Sequence, residues 1–341
     1  MKVTVIIPTR NEEKHIEESV NSILNTDFPK SEIEIFIIDG ISDDKTYEIA
    51  QNLAKNNKNI KALKNSHQTV PYALNMGIKK ARGKYIVRAD AHSKYSKDYI
   101  KNLLYHIEKL KADNVGGSWI VLAANDSVKA KVIAAVMSHP FGVGNAHYRI
   151  GSKKIREVDT VPFGCFRKEL FDKIGFFDED LTRNQDDEFN ARIIKNKGKI
   201  FLIPDIKINY VARETFCKLF AVYYEYGLFK PMANIKLGKP ATVRQFIPPL
   251  FTVFLIIFAA SPFFMNKIFY FCALVFGVYL LMSLFFSVKE AKRLKIWNIF
   301  LFMYGFFVMH ISYGIGYLWG IVKFFIFRRH KKGKMILDVN R

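Results

Sequence analysis

Residues 33–46 read IEIFIIDGISDDKT, and that stretch decides the fold class. A β-branched run stops at Asp39-Gly40, Ser42 and Asp43 follow as helix-capping residue types, and Ile49, Ala50 and Leu53 then recur at helical spacing. A buried strand that hands over to a helix through an acid and a glycine is the repeating unit of an α/β protein.

The unit repeats on either side. Residues 3–7 are an apolar run closed by Pro8, and Thr9-Arg10-Asn11-Glu12 open a helix carrying Ile16, Val20, Ile23 and Leu24. Downstream, 60–63 reads as a short strand, 72–81 as a helix, 85–89 as a strand ending at Asp90, 99–110 as a helix and 116–122 as a strand. This alternation predicts a mostly parallel sheet flanked by helices, with ligands beyond the carboxyl ends of its strands. Residues 139–156 read as a Gly-rich, basic, mobile loop; helices are expected from about Lys168 and again from QDDEFNAR at 185–192.

Half of the 341 residues are hydrophobic, which is high for a wholly soluble chain, and the excess lies in 246–327. Three segments, 246–264, 268–288 and 299–327, carry it; about 20 apolar residues cross a bilayer, so the first two each suffice for one passage. Residues 1–235 are therefore expected to form the α/β domain and 236–341 a membrane region. The last segment, interrupted by Ser312, Gly314 and Gly316, reads either as a re-entrant pair or as a plain third helix. If the amino terminus is inside, two crossings return the basic residues 289–295 to the cytoplasm, and the same charge rule favours an inward tail for Arg328, Arg329, Lys331, Lys332 and Lys334. Residues 212–235, rich in Phe and Tyr between Lys218 and Lys230, suit a helix in the headgroup plane or an ordinary amphipathic helix packed on the domain.

The formal charge of +21 finds its partner in anionic lipid headgroups. Nucleic acid is excluded, because the basic residues are scattered and no recognition motif accompanies them. Cys165, Cys217 and Cys272 are far apart and odd in number, so neither a disulfide framework nor a zinc site is read, and a reducing cytoplasm is expected. The apolar run 3–7 is much shorter than a secretory leader's core of roughly 7–15 residues.

Carboxylates fall beside a strand end or helix start three times: in 37–46, in ADAH at 89–92 and in QDDEFNAR. That is the layout of a nucleotide-sugar site, where a diphosphate needs a hard cation and an incoming hydroxyl needs a separate base. In Asp90-Ala91-His92 the first and third side chains point to one side, so a carboxylate and an imidazole can face one cation, either Mn2+ or Mg2+. For Asp43 and Asp44, capping a helix is as good a reading as ligand contact.

Four motifs in order, VTVIIPTRNEE (3–13), IIDGISDDKT (37–46), ALNMGIKKARGKYIVRADAH (73–92) and QDDEFNARI (185–193), resemble the family 2 glycosyltransferases, inverting enzymes of the GT-A fold. More narrowly they resemble membrane-attached, succinoglycan-type exopolysaccharide transferases, whose metal motif is Asp-Ala-His. The resemblance covers roughly 1–230 and implies a metal-dependent transfer from a UDP-sugar to a lipid-linked saccharide at the cytoplasmic face of a membrane. It places Pro8, Thr9 and Arg10 beside the base, Glu12 near the ribose or base, Asp39 on a base N–H, and Asp90 with His92 on the metal. Aligning QDDEFNAR on the family's Glu-Asp-x-Asp-Leu-x-x-Arg puts the catalytic base at Asp186, with Asp187 one position away as the fallback; Gln185 departs from the family's Glu, and Arg192 matches its Arg. Residues 163–167 match the family's acceptor-side loop loosely. The Gln-x-x-Arg-Trp of processive synthases is absent, so single transfer is expected, and Arg213 or Lys230 face either a pyrophosphate or headgroups. Two other readings stand beside this one: transfer to polyprenyl phosphate itself, and a non-catalytic scaffold of a polysaccharide assembly complex.

Overall fold

The computed structural model describes residues 1–263 and 266–327. In chain order the elements are β1 (Val3–Thr9), α1 (Ile16–Leu24), β2 (Ile33–Asp39), α2 (Thr46–Asn56), β3 (Ile60–Lys64), α3 (Val70–Lys80), β4 (Tyr85–Arg88), α4 (Tyr99–Lys109), β5 (Asn114–Leu122), α5 (Val128–Met137), α6 (Pro140–Val143), α7 (His147–Ile150), β6 (Arg156–Glu157), β7 (Cys165–Arg167), α8 (Glu169–Ile174), α9 (Gln185–Lys195), β8 (Ile200–Val211), α10 (Phe216–Leu237), α11 (Ile247–Ala260), α12 (Asn266–Leu294) and α13 (Ile299–Ile321).

The strands form one mixed sheet in the order β3-β2-β1-β4-β7-β5-β8-β6. β1 to β4 are mutually parallel, whereas β7 runs antiparallel between β4 and β5. Alternation sorts the residues of β1 and β2 between two faces. Val3, Val5, Ile7, Ile33, Ile35 and Ile37 join Ile16, Val20 and Ile23 of α1, Leu53 of α2 and Leu103 and Ile107 of α4 in one core. On the other face Ile6 meets α3 so closely that a Cβ on Gly77 would collide with its side chain. Both faces are covered, which is why these strands read as continuous apolar runs. Because β1 is flanked by β2 on one side and β4 on the other, the chain reverses its winding there, and the carboxyl ends of β1, β2 and β4 meet at this switch point, the place where open α/β sheets bind ligands.

Contacts divide the chain into two compact units, one of residues 1–120 and 151–210, the other of 121–150 and 211–327 among the described residues. The break is thus not a single point at 235/236: α5 to α7 and α10 group with the C-terminal helices. The 139–156 stretch is not a plain loop, since α6 and α7 occupy it. β8 escapes the sequence reading, although Ile206, Ile208 and Tyr210 alternate and are all buried; Pro204 within the run obscures it.

Among the described residues of the second unit three helices are long and apolar enough to cross a membrane: 244–263, 267–294 and 299–326. α13 runs unbroken through Ser312, Gly314 and Gly316 and widens into a π turn at Val322–Ile326, so the re-entrant pair is not formed. Its glycines serve packing instead: Gly316 abuts the Tyr224 carbonyl and Gly320 the Leu228 carbonyl of α10, while Gly227 of α10 abuts the Tyr313 carbonyl. Such close approach of backbones is the use of small residues in apolar helices. α10 accordingly buries Leu219, Val222, Tyr223, Leu228, Phe229 and Met232 rather than lying alone in a headgroup plane, and Lys230 is buried, not turned to headgroups. His310 of α13 bridges two further elements. Its Nε2 lies 2.8 Å from the Phe141 carbonyl and must donate, so its Nδ1 accepts from the Tyr279 hydroxyl at 3.0 Å. The basic residues 328–334 lie outside the described residues.

Candidate active site

The ends of β1 and β2 are locked in register, Thr9 opposite Asp39, with Gly40 N–H donating to the Thr9 carbonyl at 2.8 Å. Asp39 is buried, and its carboxylate accepts from the Ser42 backbone N–H at 3.1 Å and from the Ser42 hydroxyl. Ser42 Oγ in turn accepts from Asn11 N–H at 2.9 Å, tying the loop after β1 to the loop after β2. A carboxylate has about four lone-pair sites, so Asp39 keeps acceptor capacity beyond its turn. Thr9 Oγ1 and Arg10 Nε are buried at the same tip with no hydrogen-bond partner among the described residues. Pro8 is half-buried beside them.

Asp44 is spent locally. Its carboxylate accepts from Thr46 N–H at 2.9 Å, from the Thr46 hydroxyl and from Glu13 N–H at 3.2 Å, which is the helix-start reading; Asp43 is exposed. Burial opposes charge on Asp44, but these bonds hold its carboxyl below the usual range.

The tip of β4 brings together residues of three motifs. Asp90 is pinned through its backbone: its N–H donates to Tyr95 Oη at 2.6 Å and its carbonyl accepts from Ser19 of α1 at 2.9 Å. His92 Nδ1 lies 2.9 Å from Asp90 Oδ1 and 3.1 Å from Glu12 Oε1, so Glu12 meets the imidazole. The negative charge of Asp90 pushes His92 up to about 10, against the desolvation that would lower it, with help from Glu12. These are oxygen and nitrogen donors suited to Mg2+ or Mn2+. Among the described residues no three His, Cys, Asp or Glu side chains form a ready cage for an ion. That suits a cation of this kind, which is commonly held by one or two carboxylates with substrate phosphates and water making up the rest.

α9 opens after Asn184 in a left-handed conformation and carries Asp186, Asp187 and Glu188 in its first turn, where the helix dipole favours carboxylates. Glu188 is buried and grips Arg192 through two bonds of 2.7 and 2.8 Å, while Arg192 donates to the carbonyls of Ile174 and Phe176 at 2.7 Å each. That pair is a clamp, and it engages both carboxylate oxygens of Glu188. Asn190, one turn on, accepts from Asn114 of β5 and donates to Thr160, both at 2.8 Å, which sets the helix against the sheet.

Asp186 contacts the guanidinium of Arg88, the last residue of β4. Desolvation pushes the Asp186 carboxyl above the ordinary aspartate range, Arg88 pulls it back, and the charges of Asp187 and Asp90 push it up again. Asp90 and Asp186, 96 positions apart in sequence, thus sense one another's charge. Arg88 escapes the sequence reading although it stands two residues before Asp90; an arginine in a strand carries no local mark of its partner.

The family model for glycosyl transferase family 2 matches residues 4–175. Over 236 residues the chain is 31% identical to the dolichyl N-acetyl-α-D-glucosaminyl phosphate 3-β-D-2,3-diacetamido-2,3-dideoxy-β-D-glucuronosyltransferase of Methanococcus voltae, covering 67% of this chain and 72% of that protein. It is 27% identical over 246 residues to the succinoglycan biosynthesis protein ExoA of Rhizobium meliloti, with 72% and 73% covered. Among solved structures, the fold is similar to that of the mannosyltransferase PcManGT from Pyrobaculum calidifontis in complex with GDP-Man and Mn2+, at a TM-score of 0.59 and 17% identity over 93% of this chain and 87% of that one. It is also similar to S. aureus TarS 1–349 in complex with UDP-GlcNAc, at a TM-score of 0.50 and 22% identity over 66% of each chain.

Proposed function

Since the chain belongs to glycosyl transferase family 2, we propose that it moves one sugar from a UDP-sugar to a lipid-linked saccharide, with inversion at the anomeric carbon, in the making of an exopolysaccharide, capsule or related glycan. The observation that carries this reading is the convergence of motifs: Asp39, Glu12, Asp90 and His92 stand at the carboxyl ends of β1, β2 and β4, and the charge of Asp90 reaches Asp186.

In this reading the tip of β1 and β2 receives the nucleoside. Pro8, Thr9 and Arg10 flank the base, and the unpartnered Thr9 Oγ1 and Arg10 Nε are polar groups a nucleotide can satisfy. Asp39 accepts from the imide N–H of uracil, a charge-assisted bond that a neutral acceptor cannot match. Glu12, held by its N–H on Thr46 at 2.7 Å, lies toward the ribose and His92. Asp90 and His92 would hold Mn2+ or Mg2+ beside the donor diphosphate. When bound, such an ion offsets the charge that grows on the departing nucleoside diphosphate.

Asp186 accepts the proton of the acceptor hydroxyl as its oxygen attacks the anomeric carbon. The new C–O bond forms opposite the bond to the diphosphate, which breaks and leaves as UDP, so the configuration inverts. The acceptor is argued from two sides. The Methanococcus voltae relative is named for transfer to a sugar already carried on dolichyl phosphate, and this chain bears, among the described residues, three helices apolar enough to cross a membrane. We place the protein in the cell membrane as a multi-pass protein with its site on the cytoplasmic side, because the basic residues Lys289, Lys292, Arg293 and Lys295, at the end of the second of those helices and just beyond it, favour the inside.

Asp186→Asn tests the reading. Transfer is expected to fall by about 100-fold or more while UDP affinity by calorimetry stays within twofold of the parent; full turnover in this variant overturns the base assignment.

A further inference from the structure

We propose that Arg88 is the positioning residue of the base, holding the Asp186 carboxylate of α9 at the tip of β4; this rests on the reading of Asp186 as base. The two side chains are in direct contact, with the arginine 11% exposed and the aspartate 31%. Arg88 is itself fixed on its other sides. Its guanidinium carbon lies 5.5 Å from the centroid of the buried Phe163 ring, and its backbone N–H donates to the Gly164 carbonyl at 3.0 Å. Phe163 takes a left-handed backbone conformation (φ 48°), so the chain turns sharply where it supports the arginine. Arg88 therefore reaches Asp186 from a rigid strand, against an aromatic face that suits a planar cation.

The charges around Asp186 explain why a cation is needed. Asp187 and Asp90 both raise the cost of a third carboxylate, and Arg88 is the group that offsets it. Without that contact the carboxylate is repelled by its neighbours, and its first-turn rotamers are no longer confined to the one that faces β4. A base displaced by about 1 Å loses much of its effectiveness, so the effect falls on the chemical step. Donor binding at the tips of β1 and β2 does not use Arg88 in this account.

The experiment compares Arg88→Met and Arg88→Lys with the parent in the full-length, detergent-solubilised protein, reading kcat for transfer and UDP affinity by calorimetry. Arg88→Met is expected to lose about 100-fold in kcat with UDP affinity within twofold of the parent, and Arg88→Lys to recover about tenfold of that loss. Guanidinium chloride at low millimolar concentration, but not sodium chloride, is expected to restore part of the activity of Arg88→Ala. A parent-like kcat in Arg88→Met overturns the proposal, as does a loss confined to UDP affinity, which would make Arg88 a donor ligand. If Arg88→Met does not fold, Arg88→Lys decides: parent-like kcat overturns, and a reduced kcat at unchanged UDP affinity supports. Asp186→Asn separates the two readings. An active Asp186→Asn sinks the base itself, whereas an inactive Asp186→Asn beside a fully active Arg88→Met sinks Arg88 alone.

Discussion

His92 Nδ1 stands 2.9 Å from Asp90 Oδ1, so the third residue of the Asp-Ala-His motif folds back on the first. The pair shares its charge before any ligand arrives, and a cation entering there must take the place of a proton.

This bears on metal choice. Substituting His92→Asp supplies a second hard oxygen in place of a borderline nitrogen, and the ratio of UDP affinity in Mg2+ to that in Mn2+ is expected to rise by roughly tenfold. Calorimetric titration of UDP in each metal measures it, and an unchanged ratio counts against His92 as a ligand.

With Asp186 as the proposed base, the pH dependence of turnover follows from its surroundings. Burial sets its carboxyl above the ordinary aspartate range, and the base works only when ionised, so activity is present above that raised pKa and is lost as pH falls through it. The acid limb of the kcat profile is therefore expected higher than a solvent-exposed aspartate would place it. A limb at or below the ordinary aspartate value contradicts this.

Glu34, the second residue of β2, is almost wholly buried and accepts from Thr4 Oγ1 at 2.7 Å, from Arg82 N–H at 2.6 Å and from Arg82 Nε at 3.0 Å. Desolvation raises its pKa, but these bonds together outweigh it and leave the carboxyl below the usual glutamate range. The folded value is thus depressed, so the stability this group contributes is present above its unfolded pKa and is lost as pH falls through the folded one. The Arg82 guanidinium is mostly exposed and adds little, so the Thr4 and backbone bonds carry the effect. Glu34→Gln is expected to cost about 1–3 kcal/mol at neutral pH and to flatten the acid-side fall in stability. Thermal unfolding across the acid range reads both.

Gly316 lies against the Tyr224 carbonyl, where an added Cβ would overlap backbone that cannot rotate away. Gly316→Val is expected to separate α10 from α13 and to lower the yield of monodisperse protein in detergent, while Gly277→Ala, which meets nothing nearby, serves as the neutral control. Size-exclusion profiles of the two variants distinguish a packing role from mere tolerance of small residues.

The residues of the proposed site were legible because their types and spacing form short motifs. Asp39, Asp90 and Asp186 each sit where a strand ends or a helix begins, and local periodicity marks those places. Arg88 was not legible, because its partner lies on α9 and only the insertion of β7 beside β4 brings the later segment across. Asp44, which read equally as a helix cap or a ligand contact, is a helix start, and Glu188 beside the acids of α9 is spent on Arg192. Residue type alone does not say where a carboxylate's lone pairs are used.

From the sequence by itself came the alternation of strands and helices, the acids at their junctions and the three apolar spans, since each is a pattern within a few turns of chain. Tertiary structure decided which acid Arg88 meets, that Glu12 turns to His92, and that α10 joins α13 through glycines instead of lying apart. The physical reason is range: hydrophobic periodicity is set by neighbours in sequence, whereas ion pairs and backbone-to-backbone packing depend on elements that sheet order and helix docking bring together from distant parts of the chain.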